Sequence, residues 1–293
     1  MLTPLIINPA AGRGTGRALS DAICCYLREL GISARLSYSG AAGDISVQVR
    51  QAVSARAHAV IVVGGDGTVH EAVNGWMQAG GGTPLAIIPV GTGNDFMKML
   101  SDDSAWREAC RRIARGSTRQ VDLGRCNDFY FANSLGVGFD AQVASEANRM
   151  QWLRGSLVYG VALAKTLLFN HRTPNVRIQH AAGRLDTSIT LIAVNNGRVE
   201  GGAFRLAPDA EINDGVFDVV IARGMSRLGI LALVPRVLRG THLDHRAVTM
   251  FKTGKLTIES ETGLPVHADG EIRYSDAKRL DIEILPARLT VIA

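Results

Sequence analysis

Three glycine-rich turns, each set directly after a short apolar run and before a helix-patterned stretch, constrain this chain more than any other feature. The first, Asn8-Pro9-Ala10-Ala11-Gly12-Arg13-Gly14, follows Leu5-Ile6-Ile7. The second, Gly64-Gly65-Asp66-Gly67-Thr68, follows Val60-Ile61-Val62-Val63, and the third, Gly91-Thr92-Gly93-Asn94-Asp95, follows Leu85-Ala86-Ile87-Ile88. Four β-branched residues in succession predict a strand covered on both faces, as in a parallel sheet flanked by helices. Leu19, Ile23, Leu27 and Leu30 recur at helical spacing after the first turn. Ala34 to Tyr38 supplies another strand, and Asp44 is expected to cap a helix that buries Ile45, Val49 and Val53. Asp103 or Ser104 is expected to cap a last helix running to Arg115. In a parallel sheet all three turns fall beyond the carboxyl ends of the strands, the edge at which such folds bind ligands.

Beyond Val121 the pattern changes to short alternating runs separated by turn residues: Phe129 to Leu135, Thr187 to Val194, Val216 to Ile221, Lys255 to Glu259 and Leu280 to Leu285. Leu280-Asp281-Ile282-Glu283-Ile284 has a strict period of two, the mark of a half-buried antiparallel strand. Helical inserts are expected near 145–170 and 225–240. The chain therefore reads as a Rossmann-like α/β domain over 1–122 and a β-sandwich domain over 123–293.

Composition narrows the function classes. Hydrophobic residues make up 46% of the 293 and charged residues 20%, a globular balance that excludes disorder. The formal net charge of +5 suits an anionic ligand or an anionic membrane surface, and ordinary enzymes carry as much. Cys24, Cys25, Cys110 and Cys126 form no C-x-x-C pair, so reduced thiols packed as small hydrophobes are expected. The first residues have no basic leader or long apolar core, and no stretch reaches the roughly 18 apolar residues of a membrane span. A cytoplasmic protein is the expectation, with peripheral contact at the inner membrane face allowed and no nucleic-acid partner. The sequence leaves a homodimer open.

Glycines let backbone approach a phosphate closely, and the helix that follows each turn offers unpaired N–H groups and a partial positive charge. One such turn is weak evidence; three that converge, two with an acid beside the glycines, are hard to explain as connectors. The Walker pattern is absent. Gly12, Gly14 and Gly16 miss the dinucleotide fingerprint because the third glycine falls one position early, which disfavours a hydride-transferring enzyme.

These turns, together with Pro89-Val90-Gly91-Thr92-Gly93-Asn94-Asp95-Phe96, resemble the diacylglycerol kinase catalytic family, which includes bacterial soluble lipid kinases and sphingosine kinases. The resemblance continues through Asn133-Ser134-Leu135-Gly136-Val137-Gly138-Phe139-Asp140 and Ala207-Pro208-Asp209-Ala210-Glu211-Ile212-Asn213-Asp214-Gly215, and ends at Asp269-Gly270-Glu271. It implies an ATP- and Mg2+-dependent lipid kinase in which ATP and the lipid headgroup meet in the cleft between the two domains. It assigns the nucleotide to Asn8, Pro9, Ala10, Ala11 and Gly12, to Gly64, Gly65, Asp66, Gly67, Thr68, Val69 and His70, and to Gly91, Thr92 and Asn94. Ser39 falls where the family often has threonine. His70 stands where bacterial lipid kinases often carry asparagine and sphingosine kinases often carry histidine.

Each acid has a plainer reading beside its functional one. Asp66, held among glycines, is suited to orient magnesium or its waters, or merely caps the next helix. Asp214 by itself reads as a hairpin turn; the resemblance makes it the ligand of a structural magnesium, assisted by the carbonyls of Glu211 and Val216. Glu271 by itself is a solvated turn residue; the resemblance makes it the general base for the lipid hydroxyl. Asp122 is either an acid of the magnesium–water network or a strand-end residue at the domain junction. His242 and His245, three apart in a basic loop, read as solvated surface before they read as a metal pair. The segments 153–169 and 228–238 mix apolar faces with Arg149, Arg154, Arg172, Arg227, Arg236 and Arg239, which suits either anionic lipid headgroups or packing on the sandwich. Two other functions compete: an NAD kinase, whose family shares a Gly-Gly-Asp-Gly loop and a similar two-domain plan, and a nucleotide-binding regulator without turnover.

Overall fold

The computed structural model describes residues 2–149, 156–169 and 172–293. Two compact units form: unit 1 is Met1–Leu123 with Pro286–Ala293, and unit 2 is Gly124–Leu285. The last eight residues thus join the first unit rather than the second, to which sequence order alone would give them.

Unit 1 is the expected α/β layer. Strands β1 (Thr3–Ile7), β2 (Ala34–Tyr38), β3 (Val60–Gly64) and β4 (Leu85–Pro89) pair in parallel in the order β4-β3-β1-β2. Every residue of β3 and β4 is buried, as the β-branched run predicts. Helix α1 (Ala11–Glu29) drives Ile23 and Leu27, one turn apart, into a core with Leu5, Ile7, Ile61, Val63 and Ile88. Helix α5 (Trp106–Arg115) adds Ala109, Cys110 and Ile113 to that core. Between them lie α2 (Asp44–Ser54), α3 (Asp66–Gln78) and α4 (Asp95–Leu100).

Two cap assignments are corrected. Asp44 is the first helical residue of α2 rather than its cap; Gly43, at φ 86°, occupies the cap position, and the Asp44 carboxylate accepts from the Gly40 N–H instead. At α5 the cap position belongs to Ala105, whose N–H is taken by the Asp103 carboxylate at 2.8 Å in a turn ahead of the helix.

Unit 2 is a β-sandwich. Its elements are β6 (Phe129–Phe131), β7 (Ser134–Gly138), α6 (Phe139–Arg149), α7 (Ser156–Phe169), β8 (Asn175–His180), β9 (Gly183–Asn195), β10 (Phe217–Arg223), α8 (Arg227–Arg239), β11 (Val248–Thr253) and β12 (Lys255–Ala268). Strands β5 (Thr118–Cys126) and β13 (Glu271–Ile292) each carry the chain from one unit to the other. Pairing within unit 2 is antiparallel. The long strands β9 and β12 each serve three partners: one part of each pairs with β8 and another with β7, while β10 pairs with β9 and β13 with β12. The core between the layers is filled by Phe129, Phe131, Phe217, Ile192, Val219, Ile258 and Ile282, with Phe131 and Phe217 stacked at 5.5 Å.

The single strand expected over Phe129 to Leu135 is two. It breaks because the N–H groups of Ala132, Asn133 and Ser134 turn away from a strand ladder to the Asp269 carboxylate, at 3.1, 2.8 and 3.1 Å. His242 is also corrected. It is 1% exposed, its Nε2 meets the Leu206 carbonyl at 3.1 Å, and burial pushes its pKa down, so it is a core histidine. His245 is half-buried and accepts from the Ala247 N–H. All four cysteines are free; burial pushes the Cys110 and Cys126 thiols up to about 12, so they are inert packing groups. Leu153 and Arg154 of the first amphipathic segment lie outside the described residues. Among those described, no helix is long and apolar enough to cross a membrane.

Candidate active site

The three glycine-rich turns of unit 1 are stitched together by their own side chains. Asn8 Oδ1 accepts from the Ala10 N–H at 3.0 Å, shaping the first turn, while Asn8 Nδ2 donates to Thr68 Oγ1 at 3.0 Å and ties it to the second. Asp66 Oδ1 accepts from the N–H groups of Asp95 at 2.7 Å and Phe96 at 3.4 Å, tying the second turn to the third. Asp66 does cap a helix, but that helix is α4, nearly thirty residues away in sequence. Asn94, held at φ 52°, closes the third turn: its Oδ1 accepts from the Gly91 N–H and its Nδ2 donates to the Gly91 carbonyl.

The glycines are required by this packing. A Cβ on Gly12, which sits at φ 57°, would lie 2.0 Å from the Val90 carbonyl oxygen, and one on Gly91 would lie 2.5 Å from Gly65 Cα. Neither obstacle is a flexible side chain, so neither residue can be replaced without moving backbone. Gly12, Arg13 and Gly14 sit at φ 57°, 59° and 95°, and the Ala11 and Gly14 N–H groups go to the Asn8 and Ala10 carbonyls, so the first turn is a tight loop from which the regular part of α1 departs. Helix α3 starts at Asp66 directly after Gly65, which has no side chain to cap it, so the positive end of its dipole faces the joined turns. A glycine-lined loop beside a helix start suits an anionic group such as a phosphate.

The other nucleotide candidates divide into two groups. Ser39 lies beyond β2 at the same edge, its N–H donating to the Ile7 carbonyl beside Asn8. Thr92 is exposed, and Pro9, Ala11, Gly64, Gly65 and Gly67 belong to the joined turns. Thr68, Val69 and His70 are buried at 3%, 4% and 3% exposure, pointing into unit 1 from the first turns of α3. Asp122 is 1% exposed, and its Oδ1 accepts from the Ala287 N–H at 2.6 Å, where β13 re-enters unit 1.

Unit 2 carries the remaining acids. Asp269 and Gly270, at φ 51° and 84°, make the two-residue Asp-Gly turn between β12 and β13, with Ala268 paired to Glu271. Glu271 is exposed just past the turn. Asp214 accepts from the Val216 N–H at 3.2 Å and from Lys252 Nζ at 2.9 Å. Lys252 also stands 3.2 Å from Asp218, a carboxylate only 1% exposed that burial pushes up. Two carboxylates therefore share one ammonium, and the acids outnumber the cation, a charge balance that suits a bound cation. Glu211 is exposed.

Sequence reasoning did not single out Glu200 and His267. His267 is fully buried; its Nε2 lies 2.9 Å from Glu200 Oε1 and 3.3 Å from Asp140 Oδ2, and its Nδ1 accepts from the Gly270 N–H at 3.2 Å. Burial raises the Glu200 pKa, and the Asp140 charge adds to the effect. Burial acts to lower that of His267, but the two carboxylates outweigh it and hold the imidazole well above its ordinary value. The available signal was position: His267 lies two residues before Asp269 on the same strand.

The sequence pattern described as the diacylglycerol kinase catalytic domain matches residues 3–126, and that described as the YegS C-terminal NAD kinase beta sandwich-like domain matches residues 133–293. The chain belongs to the diacylglycerol kinase family. A Mycobacterium tuberculosis (strain ATCC 25618 / H37Rv) diacylglycerol kinase is 30% identical over 293 residues, covering 98% of this chain and 93% of the relative. A Bacillus subtilis (strain 168) diacylglycerol kinase is 27% identical over 271 residues, covering 91% and 88%. The fold also matches the crystal structure of a diacylglycerol kinase from Bacillus anthracis str. Sterne, with a TM-score of 0.78, 24% identity and coverage of 99% and 96%. The chain is thus an enzyme of a lipid-kinase family, built as the α/β-plus-sandwich plan that its sequence predicts.

Proposed function

We propose that this enzyme transfers the γ-phosphate of ATP to a hydroxyl of a diacylglycerol-like lipid. The observation that carries the reading is the knitting of three turns into one backbone cradle beside the start of α3, in a chain whose relatives include diacylglycerol kinases. Backbone N–H groups of the joined turns and the start of α3 hold and orient the phosphates. The lipid hydroxyl oxygen attacks the γ-phosphorus, the bond to the β–γ bridging oxygen breaks, and ADP leaves. Glu271 takes the hydroxyl proton, a role open to an exposed carboxylate on a rigid two-residue turn. Magnesium, when bound, neutralises charge on the transferring phosphoryl group. Asp66 is the residue of the cradle suited to orient it, with Asp122 a candidate for the surrounding water network. Asp214, Glu211 and Val216 would hold a second, structural ion.

A membrane-facing role for the helices of unit 2 has its own support. Leu168 and Phe169 on α7, and Leu228 and Leu231 on α8, are exposed at 62%, 75%, 77% and 50%. Helix α8 carries Arg227, Arg236 and Arg239 and no acid, a combination suited to an anionic bilayer surface.

The experiment is transfer of label from γ-labelled ATP to a cellular lipid extract, with NAD as a parallel acceptor, followed by identification of the labelled species. A labelled lipid of the diacylglycerol class is the expected product. Label appearing only on NAD, or ATP binding without transfer to any acceptor, would replace this reading by the NAD kinase or regulator alternatives.

A further inference from the structure

The cluster Asp140, Glu200 and His267 sits in unit 2 next to the Asp269-Gly270 turn, and the proposed phosphate chemistry does not use it. Its three ligand atoms lie within 4.8 Å of one another, close enough to suggest a metal site. The tautomer argues otherwise. A backbone N–H can only donate, so the Gly270 N–H at 3.2 Å requires a lone pair on His267 Nδ1. A neutral ring then carries its hydrogen on Nε2, the atom that faces both carboxylates and that an ion would need. What the carboxylates hold is a proton.

We propose that His267 is a positioning residue for Glu271: its Nδ1 grips the Gly270 amide and so fixes the turn that presents Glu271, while Glu200 and Asp140 set the tautomer from the other side of the ring. The proposal rests on the reading of Glu271 as general base. Two anchors hold the turn. Asp269 pins one residue through the N–H groups of Ala132 to Ser134, and His267 pins the other. Glu271 follows at once, paired with Ala268 across the turn. Gly136, opposite His267 on β7, leaves room for the imidazole: a Cβ there would lie 2.1 Å from His267 Nε2 and 2.5 Å from Asp140 Oδ2.

The arrangement couples the turn to protonation. A second ring proton must go to Nδ1, where it turns the acceptor into a donor facing the Gly270 N–H and releases the turn; because the two carboxylates hold the ring well above its ordinary value, the grip is complete only above that raised pKa and is lost as pH falls through it. Glu200 from the segment before α8 and Asp140 from α6 are the charged groups that act on the ring and draw that proton in.

Two substitutions separate the ring's two edges. His267→Asn keeps an acceptor near the Nδ1 position but loses the Nε2 edge; His267→Gln keeps a donor near Nε2 but loses the Nδ1 acceptor. The measurements are kcat and KM for ATP across pH, melting temperature, and amide hydrogen exchange at Gly270. The Asn variant is expected to keep kcat within about threefold and to lose one acid-side ionisation from the profile. The Gln variant is expected to lose about tenfold or more in kcat with KM for ATP unchanged, and to exchange the Gly270 amide faster. Glu200→Gln, which still accepts from Nε2 but has no charge, is expected to keep kcat and to move that ionisation to lower pH. A Gln variant with wild-type kcat and a released Gly270 amide would overturn the proposal. Equal losses in the Asn and Gln variants that merely track melting temperature, or an unmoved profile in Glu200→Gln, would do the same. Glu271→Gln, measured alongside, isolates the premise: undiminished kcat there defeats the base assignment, whatever the His267 variants do.

Discussion

Asp66 performs a structural task that can be measured apart from its proposed chemical one. Its Oδ1 accepts the N–H groups of Asp95 and Phe96, so it caps α4 from another helix. Removing a cap costs about 1 kcal/mol, and losing the favourable charge at a helix start adds about 0.5 kcal/mol. Asp66→Ala should therefore destabilise the protein by about 1.5 kcal/mol, a fall of about 3–6 °C in melting temperature for a chain of this size. Asp66→Asn keeps an oxygen acceptor and loses only the charge, so its melting temperature should fall by about 1–2 °C. If the carboxylate orients the metal, both variants should lose kcat alike, by about a hundredfold, or about 2.7 kcal/mol of barrier. The assays are calorimetric melting and initial rates at saturating ATP and magnesium. Unequal stability with equal inactivity is the expected signature. An Asp66→Asn enzyme with kcat within about threefold of wild type would show that the cap is all that Asp66 provides.

Other perturbations test other parts of the structure. Gly91→Ala must force apart the Gly65 and Gly91 backbones, so it should cost about 2 kcal/mol or more and raise KM for ATP, read by melting and initial rates. Lys252→Met leaves Asp218 and Asp214 without their ammonium; it should lower the melting temperature in chelator, and added magnesium should restore more stability in the variant than in wild type. His242 has its folded pKa depressed by burial, so its neutral form costs nothing above the unfolded value of about 6.5, and stability falls as pH drops below that. His242→Gln should flatten that part of the melting-temperature profile whatever its own baseline.

Where a residue's role is fixed by its immediate neighbours in sequence, it was legible. The β-branched run Val60 to Val63 reads as a doubly covered strand, and the glycine turn after it then falls at the carboxyl edge of a parallel sheet. The links between turns were not legible, because Asn8 meets Thr68 and Asp66 meets Asp95 only once the strands are ordered side by side. His242 was misread because a histidine between Thr241 and Leu243 looks like loop surface, and only the Leu206 carbonyl explains its burial. The His267 cluster draws on three segments sixty or more residues apart, none with a local pattern that marks it. Asp269 stood inside a recognised motif, yet its grip on Ala132 to Ser134 reveals itself only as a strand broken in two.

The return of the chain to its starting unit has a consequence for synthesis. Val291 and Ile292 pair in parallel with Leu85 and Ala86 on β4, and the Asp122 carboxylate clasps the Ala287 N–H at the point of re-entry. A ribosome delivers β4 some two hundred residues before its neighbour, so unit 1 emerges with an unfilled sheet edge that stays exposed while the whole of unit 2 is made. Nascent chains stalled before residue 286 should therefore display that edge to chaperones or to one another.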